Sequence, residues 1–311
     1  MRTFLLVYAF CSSGLALAAD AQFNGRWDIS VLNEPRKRAW WLEITGAGTP
    51  QLAGRFVGFP GGNMNPIEKL SIANGVLKFS FDRAAKGKAA AVHQEYTARL
   101  AGGKLEGTFR QGRNELKWTG VRAPEIKDKD DGSWKPGKPI RLFNGKDLSG
   151  WHGMIPGKDL GWKVENGLLR STGKANNLES DGKYWNYILH LEYRVGPQSN
   201  SGIGLRGRYE VQILEDYGRP LDVHSNGALY SRIVPAVAAS KPAGEWQTYD
   251  IRLVGRDVTV TLNGKQVVKG VIEGLTAIAS DPNEGEPGPL TLQGDHGPVD
   301  FRNIVLTPLT K

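Results

Sequence analysis

The chain has 311 residues, with 40 Lys+Arg against 32 Asp+Glu for a formal charge of +8, five His and one Cys. That one thiol, Cys11, lies in the N-terminal apolar run, so the mature chain has no disulfide, no thiolate nucleophile and no Cys-ligated zinc; any metal must be held by oxygen or imidazole ligands. The positive excess is spread along the chain and even alternates in sign at Lys127-Asp128-Lys129-Asp130-Asp131. Without a basic stripe and aromatic platforms, nucleic-acid binding is excluded.

Residues 1–19 read as a secretory signal: Arg2 provides the positive start, 5–17 are mostly apolar, and Ala16-Leu17-Ala18-Ala19 offers small residues for cleavage. The run is shorter than the ~20 residues that span a bilayer, and no second run follows, so no transmembrane segment is expected. The expectation is an exported protein, periplasmic or secreted, and a thiol-free chain suits that compartment. Strand-like runs then occur at 27–32, 40–45, 52–59, 67–72, 76–81, 94–100, 104–110 and 116–121, with Asn74-Gly75 and Gly102-Gly103 as hairpin turns. Residues 20–123 therefore form a smaller N-terminal β domain, a barrel or sandwich. The polar stretch 124–139 reads as an exposed linker.

Residues 140–311 carry eleven more strand-like runs, among them 187–195, 202–205, 209–214, 247–253, 257–262, 289–293 and 299–306, with Asn166-Gly167 and Asn263-Gly264 as further turns. The whole chain is thus all-β. This density of antiparallel strands fits a two-sheet jelly roll with one concave face. No Gly-rich phosphate loop stands between a strand and a helix, so nucleotide cofactors are not expected.

Along Tyr209-Glu210-Val211-Gln212-Ile213-Leu214, period two places Tyr209, Val211 and Ile213 on one face and Glu210 and Gln212 on the other. A carboxylate beside an amide can bind hydroxyls or a cation; the plainer alternative is a solvent-facing strand. Retaining glycosidases need two carboxylates ~5–5.5 Å apart. Here the same-face neighbour of Glu210 is an amide, so that mechanism is not supported on this strand.

Leu142-Phe143-Asn144-Gly145-Lys146-Asp147-Leu148-Ser149-Gly150-Trp151, Val164-Glu165-Asn166-Gly167, Asn200-Ser201-Gly202-Ile203, Tyr209-Glu210-Val211-Gln212, Gly227-Ala228-Leu229-Tyr230, Leu292-Gln293-Gly294-Asp295-His296-Gly297 and Phe301-Arg302-Asn303-Ile304 follow one another in order. On these motifs, about residues 140–309 resemble the 3-keto-disaccharide hydrolase domain family. The resemblance implies a concanavalin A-like jelly roll acting on glycosides already oxidised at C3, and an upstream sugar 3-oxidase as partner. A C3 ketone acidifies the C2 proton, so one base can form an enolate that expels the C1 substituent, with or without later addition of water. Such a site needs a base that titrates near neutral pH and a hydrogen-bond donor or cation where enolate charge develops. A divalent cation on Glu210 and Gln212 would serve as that Lewis acid.

Histidine is the natural base. His93 falls in the N-terminal domain and His190 inside an apolar strand, whereas His152, His224 and His296 lie in loops. His296 is the first choice as catalytic partner of Glu210, with Arg206, Gln212, Tyr230, His152 and Trp151 as substrate-binding candidates. Arg302, Trp185 and Trp246 are further residues able to meet a sugar. A non-catalytic carbohydrate-binding module is the alternative, since the same sandwich serves lectins.

Overall fold

The structure, a computed structural model, describes residues 20–33, 39–58, 62–83 and 92–311. The expected export signal at 1–19 lies outside the described residues. Among these the secondary-structure elements are all β-strands, and none is a helix long and apolar enough to cross a membrane. The chain divides into two units at Ala123–Pro124, save for short stretches near Ala39 and Val57 that group with the second.

The first unit is one nine-stranded antiparallel sheet in the order Asn65–Pro66, Ala53–Val57, Ala39–Thr45, Gly25–Val31, Asn114–Arg122, Lys104–Gln111, Val92–Ala101, Val76–Arg83, Lys69–Ala73. Its two edge strands are separated in sequence by only Ile67 and Glu68, so the sheet curls until its ends meet. That closure removes exposed edges and makes an up-and-down barrel. Inside, Tyr96 stacks on Phe79 at 4.5 Å and meets Phe56, Phe109 and Trp40 within 5.7 Å. Edge and stacked contacts of this kind add to the area the rings bury.

The expected hairpin turns form as positive-φ pairs: Asn74-Gly75 at 52° and 67°, Gly102-Gly103 at 57° and 77°, Asn166-Gly167 at 52° and 76°, and Asn263-Gly264 at 50° and 78°. Asparagine and glycine tolerate this left-handed backbone, whose twist matches that of the flanking strands.

The second unit is a two-sheet antiparallel jelly roll. One sheet runs Trp162–Glu165, Leu168–Thr172, Pro298–Thr310, Tyr187–Val195, Gln247–Val254, Asp257–Leu262, Lys265–Val271. The other runs Trp151–Gly153, Leu178–Tyr184, Gly288–Leu292, Asn200–Leu205, Tyr209–Leu214. In Tyr187–Val195 every odd residue is buried and every even one partly exposed, as period two requires. Tyr249 crosses the core and its hydroxyl donates to the Gln212 carbonyl at 2.6 Å, tying the sheets together.

Residues 124–139 are mostly exposed, as their composition suggests, but they are tethered rather than free. Asp128 accepts from Trp185 and Asn186, Asp130 pairs with Arg252 at 2.6 Å, and Lys135 and Pro136 pair with Thr310 and Leu309. Polar composition cannot distinguish a loose linker from one whose aspartates Asp128, Asp130 and Asp131 each find a partner.

Candidate active site

Strand Tyr209–Leu214 splits as its pattern dictates. Tyr209, Val211 and Ile213 are fully buried in the core, and Glu210 and Gln212 point to the opposite face. Gly204 is the direct partner of Glu210 on one side and of Thr291 on the other; Thr291 then pairs with Glu179, and Glu179 with His152. Directly paired residues share a face. Glu210, Thr291, Glu179 and His152 therefore form one row across the five-stranded sheet, interrupted by a glycine. A second row holds Gln212, Gly202 and Gln293, whose N–H donates to the Gly202 carbonyl at 2.9 Å.

The glycines create the room. A Cβ at Gly202 would lie 2.1 Å from Glu210 Oε1, so the carboxyl group is laid over that glycine. A Cβ at Gly204 would meet Thr291 and Ile278. Sequence parity anticipated an open hollow at this face, yet Glu210 is only 1 % exposed and Gln212 2 %. The cover comes from the chain before the next strand and from the segment along the sheet edge. Glu210 N–H donates to the Thr276 hydroxyl, Ile278 sits over Gly204, Ser280 donates to the Glu179 carboxylate, and Tyr230 N–H donates to the Glu210 carbonyl at 3.0 Å. Beneath this cover Glu210 Oε2, Gln212 Oε1, Thr291 Oγ1 and Gln293 Oε1 have no hydrogen-bond partner. Four such oxygens on adjoining positions are unusual, because buried polar atoms are nearly always paired.

Burial, reinforced by the negative charge of Asp295, pushes the Glu210 carboxyl up to about 8. The Tyr230 phenol is raised as well, first by burial and then by Glu210, partly offset by a hydrogen bond with Ser231. Asp295 Oδ1 lies 2.7 Å from His296 Nδ1, so the acid that acts on Glu210 also holds the neighbouring imidazole. On the other flank, the His224 ring lies 4.7 Å from the Tyr230 ring and its Nε2 is 2.8 Å from Ser231 Oγ. A protonatable acid, a phenol and an Asp-held histidine suit proton transfer to and from a carbon acid.

The family described as the 3-keto-alpha-glucoside-1,2-lyase-like domain matches residues 138–307. The chain belongs to that family. Two structures of proteins from Parabacteroides distasonis ATCC 8503, both provisionally named glycosyl hydrolases, are similar to it. One is 28 % identical with a TM-score of 0.48, covering 59 % of this chain and 94 % of the other. The second is 24 % identical with a TM-score of 0.48, covering 55 % and 94 %. Porphyranase B from Zobellia galactanivorans is 14 % identical with a TM-score of 0.36, covering 61 % and 100 %. No curated protein matches the chain. A 3-keto-alpha-glucoside-1,2-lyase-like domain marks a carbohydrate-active enzyme of the glycosidase kind.

Within this lyase-like domain the structure gathers Glu210, Gln212 and Tyr230, and brings Asp295 within electrostatic reach of Glu210, with the half-exposed His296 bonded to Asp295. His152 stands at the far end of the Glu210 row, half exposed, with Nδ1 2.7 Å from Asp181 and Nε2 3.6 Å from Glu179. Two residues expected to meet a sugar have their polar groups engaged within the fold. Arg206 is fully buried, and its guanidinium donates to the carbonyls of Trp185 and Gly255 and to Asn186 Oδ1 while stacking on Trp185 at 3.9 Å. Trp151 is buried and its indole donates to the Leu142 carbonyl at 2.8 Å. Both hold the fold. Arg302 likewise pairs with Glu192 and covers Trp246, and His190 pairs with Asp250.

Among the described residues no three His, Cys, Asp or Glu side chains converge as a metal set. The unpartnered oxygens of Glu210, Gln212, Thr291 and Gln293 are nonetheless of the kind that holds a hard cation. A divalent ion bound by them would supply Lewis-acid polarisation of a substrate carbonyl.

Sequence reasoning missed Thr291, Gln293, Glu179 and Asp295. Alternation along 289–293 was a usable signal for Thr291 and Gln293, and Asp295 adjoins the chosen histidine. What was lacking is the register that sets these residues beside Glu210.

Proposed function

We propose that the protein is an exported enzyme that cleaves the glycosidic bond of 3-keto-glycosides, including 3-keto-disaccharides, supplied by a sugar 3-oxidase acting upstream. His296, with Nδ1 held by Asp295, takes the C2 proton. The electron pair moves through the enolate to form the C1–C2 double bond, and the C1–O bond breaks, the departing oxygen gaining a proton. Addition of water across that double bond completes net hydrolysis. Glu210, Gln212 and Tyr230 hold the ketone end of the ring.

The observation that carries this reading is the buried, uncompensated Glu210 carboxyl beside Tyr230 and the Asp295–His296 pair. A conventional glycosidase needs one carboxylate ionised as nucleophile beside a second as acid. An acid that titrates near neutral pH, set beside a phenol and an Asp-held imidazole, suits a carbon-acid reaction. Turnover of a chromogenic 3-keto-glucoside, with the 3-hydroxy glucoside as control and with and without a chelator, tests it. Cleavage of the keto substrate alone is expected; binding of either sugar without turnover would leave a carbohydrate-binding module.

A further inference from the structure

Resting on that reading, we propose that Asn63 is a positioning residue of the sugar site. Through the Ser231 hydroxyl it fixes His224 and Tyr230 beside the ketone end of the ring, so a residue outside the lyase-like domain at 138–307 completes the site.

The chain of contacts is short. Ser231 Oγ donates to Asn63 Oδ1 at 2.5 Å, and the same oxygen lies 2.8 Å from His224 Nε2. A hydroxyl has one proton to give. With that proton directed at Asn63, Ser231 meets the imidazole as an acceptor, and His224 Nε2 is the donor. The His224 ring in turn packs on the Tyr230 ring at 4.7 Å and 58°, and the Tyr230 phenol shares a hydrogen bond with Ser231. Tyr230 is tied to Glu210 through its backbone, N–H to carbonyl at 3.0 Å. That bond leaves the ring free to turn about Cα–Cβ, and its direction is set by His224 and Ser231.

The backbone shows that the arrangement is imposed. Ser231 has a φ of 54°, a left-handed conformation that a residue with a side chain keeps only where its surroundings over-determine it. Its N–H donates to the Val223 carbonyl at 2.9 Å and its hydroxyl to Asn63, and together these bonds hold that conformation.

A positioning residue must itself be held. Gly62 and Asn63 belong to the stretch 57–64 that groups with the second unit. A Cβ at Gly62 would lie 2.0 Å from the Ala277 amide nitrogen, so Gly62 lies flat against the segment that covers Glu210. Its carbonyl accepts from Arg232 Nη1 at 2.9 Å, and the same guanidinium donates to the carbonyls of Glu273 and Leu275. Asn63 is thus anchored independently of Ser231.

The test is the kinetics of Asn63→Leu, Asn63→Asp, Ser231→Gly and the double variant Asn63→Leu/Ser231→Gly on a chromogenic 3-keto-glucoside, each checked by thermal melting. Asn63→Leu removes the acceptor, and a misdirected Tyr230 should lower kcat about 10- to 100-fold with KM changed less than about threefold. Aspartate keeps an acceptor for the hydroxyl, so Asn63→Asp should recover kcat to within about threefold of wild type. Glycine accepts the left-handed backbone, so Ser231→Gly removes the hydroxyl without straining the chain and should lose as much as Asn63→Leu. Because both act through one hydroxyl, the double variant should be no slower than either single one. A normal kcat in folded Asn63→Leu, an Asp variant as slow as the Leu variant, or losses that multiply in the double variant would overturn the assignment. The imidazole reports the same contact without turnover. Nitrogen chemical shifts of His224, identified by their disappearance in His224→Gln, should coincide in wild type and Asn63→Asp and move in Asn63→Leu; shifts unmoved in Asn63→Leu also overturn it. Wild type that leaves the keto sugar intact would instead sink the proposed function, with the His224 shifts still deciding the contact.

Discussion

The Glu210 carboxyl group occupies the space in which a side chain at Gly202 would begin: a Cβ there would lie 2.1 Å from Oε1. Gly202 has no left-handed backbone to protect, so the glycine is needed for room and not for conformation.

Gly202→Ala is therefore expected to spare the fold and damage the site. The clashing atom is the free end of a flexible side chain, so the stability cost should stay near the low end of overpacking, about 1 kcal/mol. Displacing the carboxyl by an ångström or more should lower kcat by about 100-fold. Thermal melts and steady-state kinetics on the same preparation check both halves. A large loss of stability with normal kcat in the surviving enzyme would show that Gly202 serves packing alone.

The raised Glu210 also couples folding to pH. The group moves from its ordinary 4.5 up to about 8 in the folded chain, so the native state holds this proton more tightly than the unfolded one. The associated stability is fully present below about pH 4.5 and is lost as pH rises through about 8, at roughly 1.4 kcal/mol per pH unit. Glu210→Gln has nothing to ionise there. Urea unfolding at pH 5, 6.5 and 8 should show wild type losing stability relative to the variant across that interval. Parallel pH dependences would mean that Glu210 ionises as an ordinary glutamate in the folded protein.

Arg206 illustrates what sequence could and could not disclose. Alternation alone placed Glu210 and Gln212 on one face, and the four Asn-Gly and Gly-Gly turns were legible because only a few residues accept positive φ. Arg206 adopts that conformation too, at 54°, with Gly207 at 64°. The turn swings its side chain off the Glu210 face, and the guanidinium reaches two carbonyls and Asn186 instead. Nothing local to the sequence announces where such a turn aims a long side chain. The row from Glu210 through Thr291 to Glu179 was hidden for a related reason: it depends on the register of strands distant in the chain. Burial of the site was hidden because its cover, Thr276 to Ser280, has an unremarkable loop composition.

From this placement, Arg206→Met should act on stability and not on substrate binding. It takes the donor away from the Trp185 and Gly255 carbonyls, at about 1–3 kcal/mol each, while Asn186 Oδ1 keeps the Gly255 N–H, so a loss of at least about 2 kcal/mol is expected. KM of the folded fraction should be unchanged. Denaturant titration and KM measured at low temperature separate the two effects. A raised KM with normal stability would return Arg206 to the sugar site.

Asp295 links the two halves of the chemistry, since it both raises Glu210 and holds His296. Asp295→Asn keeps an oxygen for the imidazole Nδ1–H but removes the charge. Two consequences follow with different signatures. The imidazolium formed on taking the C2 proton loses its counter-charge, so kcat should fall by about 10- to 100-fold across the pH range. Glu210 loses its second, smaller cause of elevation, so it should ionise at lower pH and the alkaline decline in activity should move to lower pH. Because burial is the larger cause, Glu210 should still titrate above its ordinary value. Full pH–rate profiles of wild type and variant measure both. A fall in kcat with the alkaline decline unmoved would show that Asp295 serves the histidine alone and that the group titrating there is not Glu210.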